Sequence, residues 1–155
     1  MLHAAIQLAK LSGFSPIITT TSLHNQALLL SLGATHVLDR NLPNLTLVER
    51  IRQLVAEPPT YIFDAVSIKA TQQAAYALLA PRGTLAVVSR PLVGLEDDGS
   101  GKRVFAVVGS FHPSPNRVLG AQFSSALTRW LEEGKIRVRV IRVPWLLSGL
   151  VDVRG

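Results

Sequence analysis

The chain has 155 residues and no cysteine. Disulfide frameworks, thiolate nucleophiles and cysteine metal sites are therefore excluded. No apolar run reaches the roughly 18 residues that a membrane helix needs. The first residues also lack a basic region and a small-residue cleavage site, so they do not resemble a signal peptide. These absences predict a soluble protein of the cytoplasm that makes no membrane contact.

Charged residues are few, at 17% of the chain, whereas apolar residues make up 48%. This balance is typical of a single globular domain and not of a disordered chain. The formal net charge is +6, which raises the question of a nucleic-acid partner. However, residues 135–155 carry five basic residues and one acidic residue, so the excess lies largely in the tail. A nucleic-acid partner is not expected from such a distribution.

The common catalytic signatures are also missing. The chain contains no GxGxxG, GxxxxGK[ST], GxSxG, HExxH or EF-hand pattern. Its four histidines never stand three or four residues apart, the spacing that helical metal sites use; they are His3, His24, His36 and His112. We interpret them as surface or capping residues and predict no metal site.

Strand and helix patterns alternate along the chain. Strands are predicted at 15–20, 36–39, 61–66, 84–89 and 104–109, and helices at 2–11, from a cap at Ser22 to Leu32, at about 47–55 and at about 69–79. A last helix is predicted from a cap at Asn116 to its end at Gly134, with one apolar stripe formed by Leu119, Phe123, Leu127, Trp130 and Leu131. Repeated strand-helix units require parallel pairing through right-handed crossovers. The sequence therefore predicts an α/β fold with helices on both faces of a parallel sheet. The first helix has no start signal, as if the chain were cut within it.

The segment TTTSLHN, residues 19–25, spans the end of the first predicted strand and the start of the next helix. Parallel α/β sheets bind ligands at this carboxyl edge. The strand carries no acidic residue, whereas Ser22, His24 and Asn25 offer hydrogen bonds to a phosphate. An alternative interpretation is that Ser22 is only a helix cap.

Asp64 stands inside the otherwise apolar segment YIFDAV. Burial of a carboxylate is costly without partners. Asp64 therefore either fixes a loop around a cofactor, or lies at a solvated strand terminus or makes a structural hydrogen bond. The segment Gly109–His112 ends the last predicted strand, where it either lines the same edge or forms a plain connecting loop.

Several ordered motifs together resemble a known family. They are AAIQLAKLSGF, IITTTSLHNQALLLSLGATHVLDR, YIFDAVS and LLAPRGTLAVVS. They are similar to the nucleotide-binding domain of the medium-chain dehydrogenase/reductase superfamily, and most of all to its zinc-independent quinone-oxidoreductase and enoyl-reductase branch. The resemblance runs from about residue 3 to residue 136. It implies a Rossmann-type sheet with strand order 3-2-1-4-5-6.

The resemblance also implies a cofactor site. The residues expected near the adenosine ribose phosphate are Thr20, Ser22, His24 and Asn25; those bordering the dinucleotide are Asp64, Ala65, Val66 and Ser67; those near the nicotinamide are Val88, Ser89, Gly109, Ser110 and Phe111. Because no acid follows the first predicted strand, NADPH is expected in preference to NADH. The relatives act on a small-molecule substrate, and the resemblance also leaves a homodimer open. No catalytic residue can be assigned.

Departures from the family pattern shape the interpretation. The family's first strand, its glycine-rich turn and its GroES-like substrate domain would precede residue 1, and the tail diverges from the family. We therefore expect a truncated Rossmann domain at 1–136 and a divergent basic tail at 137–155. The chain is interpreted as part of an NADPH-dependent oxidoreductase that transfers hydride to an activated double bond or a carbonyl, inactive when isolated. The alternative is a non-catalytic binding or interaction remnant of that fold.

Overall fold

A computed structural model of the protein describes residues 2–94 and 96–138. The elements are α1 (Leu2–Leu11), β1 (Ile18–Thr21), a 3-10 turn (Leu23–Asn25), α2 (Gln26–Leu32), β2 (His36–Asp39), α3 (Asn44–Leu54), β3 (Tyr61–Asp64), α4 (Lys69–Leu78), β4 (Thr84–Val87), β5 (Arg103–Ala106) and α5 (Ser114–Glu132). The predicted alternation of strands and helices is confirmed. Among the helices of the described ranges, none is long and apolar enough to span a membrane.

The strands form two parallel sheets. One pairs β1 with β2, and the other has the order β3-β4-β5. These are the two halves of the order 3-2-1-4-5-6 without the strand at position 1. The α/β class is therefore confirmed, and β1 and β3 each have a single neighbouring strand within the described ranges.

Each sheet has its own hydrophobic core. Ile6 of α1 packs with Leu29 and Ala34 beside β1 and β2. The larger sheet buries Leu85 and Val87 of β4 against Ala75 of α4 and Leu79. Removal of these apolar side chains from water is the main stabilising term for each half.

The second face of the larger sheet is open to solvent. Side chains alternate along a strand, so Phe63 and Phe105 point away from α4 and flank Ala86 in register. Phe63 is 38% exposed and Phe105 is 49% exposed. We call this set, with Tyr61, the open sheet face. It is an apolar surface that no described element covers well.

Contacts outside the sheets join the two halves. The rings of Phe14, before β1, and Tyr61, at the start of β3, lie 5.2 Å apart in an edge-to-face arrangement. Asn44 of α3 also donates a side-chain hydrogen bond to the carbonyl of Ala70 in α4, at 3.2 Å. The halves are thus held together by an aromatic pair and a helix contact, without strand pairing.

Several predicted strand boundaries are wrong. β1 begins at Ile18 and continues to Thr21, three residues later than the predicted start. β3 ends at Asp64 because the amides of Val66 and Ser67 turn back to the Asp64 carboxylate. The strands predicted to end at 89 and 109 end at 87 and 106.

The prediction for the last helix needs two corrections. Asn116 does not cap α5, which begins at Ser114. Its amide instead donates to the carbonyl of Ser110, at 2.9 Å. The predicted apolar stripe is also incompletely buried, since Leu119 is 60% exposed and Leu131 is 41% exposed. An apolar helical period shows which residues share a face, but not whether another element covers that face.

The described chain ends in an anchored segment. The side chain of Gln7, buried in α1, accepts a hydrogen bond from the Arg137 amide at 2.7 Å and donates to the Arg137 carbonyl at 3.2 Å. Ile136, the residue before Arg137, is also buried. The rest of the predicted tail, residues 139–155, lies outside the described residues.

Candidate functional site

The carboxyl end of β3 is organised by Asp64. One oxygen of its carboxylate accepts hydrogen bonds from the amides of Val66 and Ser67, at 3.0 and 2.9 Å. The other oxygen accepts from the Thr71 hydroxyl of α4, at 2.7 Å. Asp64 is only 8% exposed, so these partners compensate for burial of the charge. Asp64 therefore makes structural hydrogen bonds, and their effect is to shape the loop after β3.

Ser67 joins that loop to the neighbouring strand. Its φ of 57° lies in the left-handed region, which is uncommon for residues other than glycine. In this conformation the hydroxyl donates to the Asp64 carbonyl at 2.6 Å and accepts from the Val88 amide at 2.8 Å. The Ser89 hydroxyl in turn donates to the Ser67 carbonyl at 3.0 Å. The predicted groups 64–67 and 88–89 are thus brought together by direct hydrogen bonds.

Gln72 of α4 completes this network, and sequence reasoning missed it. Its side chain is fully buried. The amide nitrogen donates to the carbonyls of Ser67 and Arg90, at 3.1 and 3.2 Å, and the amide oxygen accepts from the Leu92 amide at 2.8 Å. A signal was available, because Gln72 shares the helical face of Ala75 and Leu79, which is otherwise apolar.

The third predicted group, Gly109 to Phe111, follows β5 at the same carboxyl edge of the sheet. It bonds to α5, since the Ser110 carbonyl accepts from Asn116. Phe111 packs on Phe123, with ring centroids 6.0 Å apart. No hydrogen bond between described residues connects this loop to the network around Ser67, so the loop is positioned independently of that network.

The remaining predicted residues lie at the end of β1, on the other sheet. Thr20 is exposed, whereas Thr19 is buried and its hydroxyl has no hydrogen-bond partner in the described part of the chain. Ser22 occupies the cap position of the 3-10 turn but makes no side-chain capping bond. The predicted cap of a helix from 22 to 32 is therefore wrong, and the hydroxyl is not engaged in helix capping. Asn25 precedes α2 and also makes no capping bond.

Two charged residues stand beside this group. Asp39 lies opposite Thr21 in the register of β1 and β2, and its carboxylate accepts a hydrogen bond from the Asn41 amide at 2.9 Å. Arg40 is exposed, and its amide donates to the Thr21 carbonyl at 3.0 Å. Sequence reasoning overlooked Arg40, although a basic residue directly after a predicted parallel strand was a visible signal.

Solved structures with this fold include several dehydrogenases and reductases. Benzyl alcohol dehydrogenase from Acinetobacter calcoaceticus matches with a TM-score of 0.67 and 24% identity over 86% of this chain and 37% of its own. A mycobacterial protein solved in complex with NADPH matches with a TM-score of 0.72 and 24% identity over 89% of this chain and 44% of its own.

The nucleotide-binding subdomain of the enoylreductase domain of PpsC from Mycobacterium tuberculosis matches with a TM-score of 0.67 and 19% identity. That match covers 88% of this chain and 79% of the subdomain. The chain thus spans less than half the length of the first two structures and most of the third. A search of curated proteins gave no match.

One family profile, described as zinc-binding dehydrogenase, matches residues 3–121. The name implies a metal, but residues 2–94 and 96–138 contain no cluster of three histidine, aspartate or glutamate residues that could hold one. The residues present therefore do not fit a zinc site. The profile nevertheless matches well over half of the chain, and the chain belongs to the zinc-binding dehydrogenase family, with the fold of the nucleotide-binding domain of the medium-chain dehydrogenase/reductase superfamily.

Proposed function

We propose that the chain forms the NADPH-binding part of an oxidoreductase that transfers hydride to an activated double bond or a carbonyl. The observation that carries the proposal is the hydrogen-bonded junction at Ser67, which fixes the loops after β3 and β4 at the carboxyl edge of the sheet. Ligands of parallel α/β sheets bind at that edge. Membership of a dehydrogenase family supports the same conclusion.

The proposed cofactor lies across both sheets. Thr20, Ser22, His24 and Asn25 hold the adenosine ribose phosphate. The loop 64–67 borders the dinucleotide, and the loops 88–89 and 109–111 lie near the nicotinamide. The bound cofactor supplies the hydride, whereas this chain binds and orients it. The partner in the reaction is a small-molecule hydride acceptor.

The preference for NADPH rests on charge near β1. The strand ends without a carboxylate, and the Asp39 carboxylate is engaged in its own turn. Arg40 is exposed and its backbone amide bonds to the Thr21 carbonyl, so a basic side chain starts beside the end of β1. A phosphate group gains from such a cation and from free hydroxyl donors, so a ligand with a 2′-phosphate is favoured over one without it.

Calorimetry with NADPH and NADH tests the proposed cofactor. We expect NADPH to bind roughly ten- to a hundredfold more tightly, since one charge-assisted interaction is worth roughly 1.5–3 kcal/mol. Ser22→Asp should abolish the preference by placing a carboxylate at the 2′-phosphate. The matched control is Ser124→Asp on the exposed side of α5, which adds the same charge away from the site. Equal affinities for the two cofactors would refute the preference, and binding of neither would refute the function.

We also expect the isolated chain to show no NADPH-dependent reduction of quinones or enones. The sequence contains no glycine-rich turn of the kind that seats a pyrophosphate at a helix start. Less binding energy is then available to orient the nicotinamide. Oxidation of NADPH followed by absorbance measures this, and turnover at roughly 1–10³ per second would contradict the expectation.

A further inference from the structure

The buried side chain of Gln72 contacts two of the loops proposed to border the cofactor, the one after β3 and the one after β4. It reaches the loop after β3 at the Ser67 carbonyl and the loop after β4 at the Arg90 carbonyl and the Leu92 amide. Both donors and the acceptor of its amide are therefore used. No other residue type of this size offers two donors and an acceptor in the same plane.

Because Gln72 is buried, its hydrogen bonds constrain the backbone of the loops after β3 and β4. Its side chain is 0% exposed, so water does not replace a lost hydrogen bond. A buried polar network fixes one conformation when every member is paired, and an unpaired member is costly. The backbone between residues 88 and 92 is held by Ser67 at its first residue and by Gln72 at its last.

We infer that Gln72 is a positioning residue for the nicotinamide half of the bound nucleotide. It acts by fixing the loops after β3 and β4, and it touches neither the cofactor nor the substrate. The inference rests on the proposed function. The adenosine half is assigned to the end of β1, on the other sheet, to which Gln72 makes no hydrogen bond in the described part of the chain. Loss of Gln72 therefore weakens binding of a full dinucleotide and spares binding of an adenosine fragment.

The test compares two ligands and two variants. Gln72→Met keeps the length of the side chain and removes its hydrogen bonds. Gln73→Met makes the same change at the adjacent exposed position and is the matched control. Affinities for NADP⁺ and for 2′,5′-ADP are measured by calorimetry on the full chain. For Gln72→Met we expect binding of NADP⁺ about tenfold weaker, the factor that loss of a buried hydrogen bond brings, and unchanged binding of 2′,5′-ADP.

A second variant covers the case in which Gln72→Met does not fold. Gln72→Glu presents a carboxylate to two carbonyl oxygens, and burial beside them raises the pKa of the new carboxyl. As the pH falls the carboxyl gains a proton and can donate again to one carbonyl. We expect the ratio of NADP⁺ affinity to 2′,5′-ADP affinity to recover on acidification in this variant and to stay flat in the wild type.

The outcomes separate the two proposals. If wild-type protein binds neither ligand, the proposed function fails and the role of Gln72 fails with it. If the wild type binds NADP⁺ and the Gln72 variants keep its affinity ratio, the role of Gln72 alone is wrong. An equal loss for both ligands would show a general structural defect and would also refute the positioning role.

Discussion

At the scale of single residues, the candidate site depends on polar side chains that are buried and paired. Asp64 illustrates this, since its carboxylate serves two backbone amides and the Thr71 hydroxyl. Such groups stabilise the native state less through their net hydrogen-bond energy than through the cost of leaving partners unpaired. Removal of such a side chain should therefore lower the free energy of unfolding by more than the net energy of its hydrogen bonds.

Asp64→Ala should lower the free energy of unfolding by about 2 kcal/mol, because it leaves the amides of Val66 and Ser67 without an acceptor. Asp64→Asn keeps an oxygen for these amides and should cost less than about 1 kcal/mol. Urea unfolding followed by circular dichroism measures both changes. Equal effects of the two substitutions would show that charge, and not the acceptor geometry, is what matters.

At the scale of elements, hydrogen bonds hold residues 97–100 of the connection between β4 and β5. Its residue Asp98 accepts a hydrogen bond from the Tyr76 hydroxyl of α4 at 2.8 Å. Hydrogen bonds from the hydroxyl and amide of Ser100, followed by the one from Tyr76, lower the pKa of Asp98 from 3.8 to about 2. The Nζ atom of Lys102 lies 4.5 Å from the centroid of the Tyr76 ring and makes a cation–π contact with it.

The pH dependence of this loop follows from the lowered pKa. The charged form of Asp98 is favoured by the fold, so its contribution is present above the unfolded pKa near 4 and is lost as the pH falls toward about 2. We expect the carboxyl resonance of Asp98 to titrate with a midpoint near 2. Ser100→Ala should raise that midpoint more than Tyr76→Phe. A midpoint near the ordinary value in the wild type would contradict the loop geometry.

At the scale of the whole molecule, β1 and β3 each have one edge without a neighbouring strand in the described part of the chain, and one face of the larger sheet is exposed. Carbonyls of Ile17 and Thr21 accept hydrogen bonds from the β2 side, so strand alternation directs the Ile18 amide to the unpaired edge of β1. The Thr60 carbonyl accepts from Thr84, which directs the Phe63 amide to the unpaired edge of β3. Unpaired strand edges promote association, and this favours the homodimer that the resemblance leaves open.

Hydrogen exchange measures the state of these edges. At low protein concentration we expect fast exchange of the Ile18 and Phe63 amides and slower exchange of the Thr19 and Ile62 amides, which face paired strands. Raising the concentration should slow the first pair if copies associate through the edges. Concentration-independent protection of Ile18 and Phe63 would show that the edges are closed within one molecule.

Much of the local structure was predictable from particular residues. Gly13 and Gly33 follow α1 and α2 with φ of 78° and 121°, a region that side chains disfavour, and the sequence predicted both helix ends. Asp64 was recognised as a candidate because an acid inside an apolar strand needs partners. Gln72 and Arg40 were missed because their roles depend on neighbours 18–20 and 19 residues away along the chain, respectively.

The sequence by itself determined the order of strands and helices, the parallel α/β class and the family, because hydrophobic periods and glycine positions act over a few neighbouring residues. Only the tertiary structure decided which polar groups meet at the carboxyl edge. The Ser67 hydroxyl accepts a hydrogen bond from the Val88 amide, 21 residues away, and the Gln72 side chain of α4 bonds to two loops. The physical reason is that the period of an element specifies its own faces, whereas packing between elements specifies which distant groups lose water together and must pair.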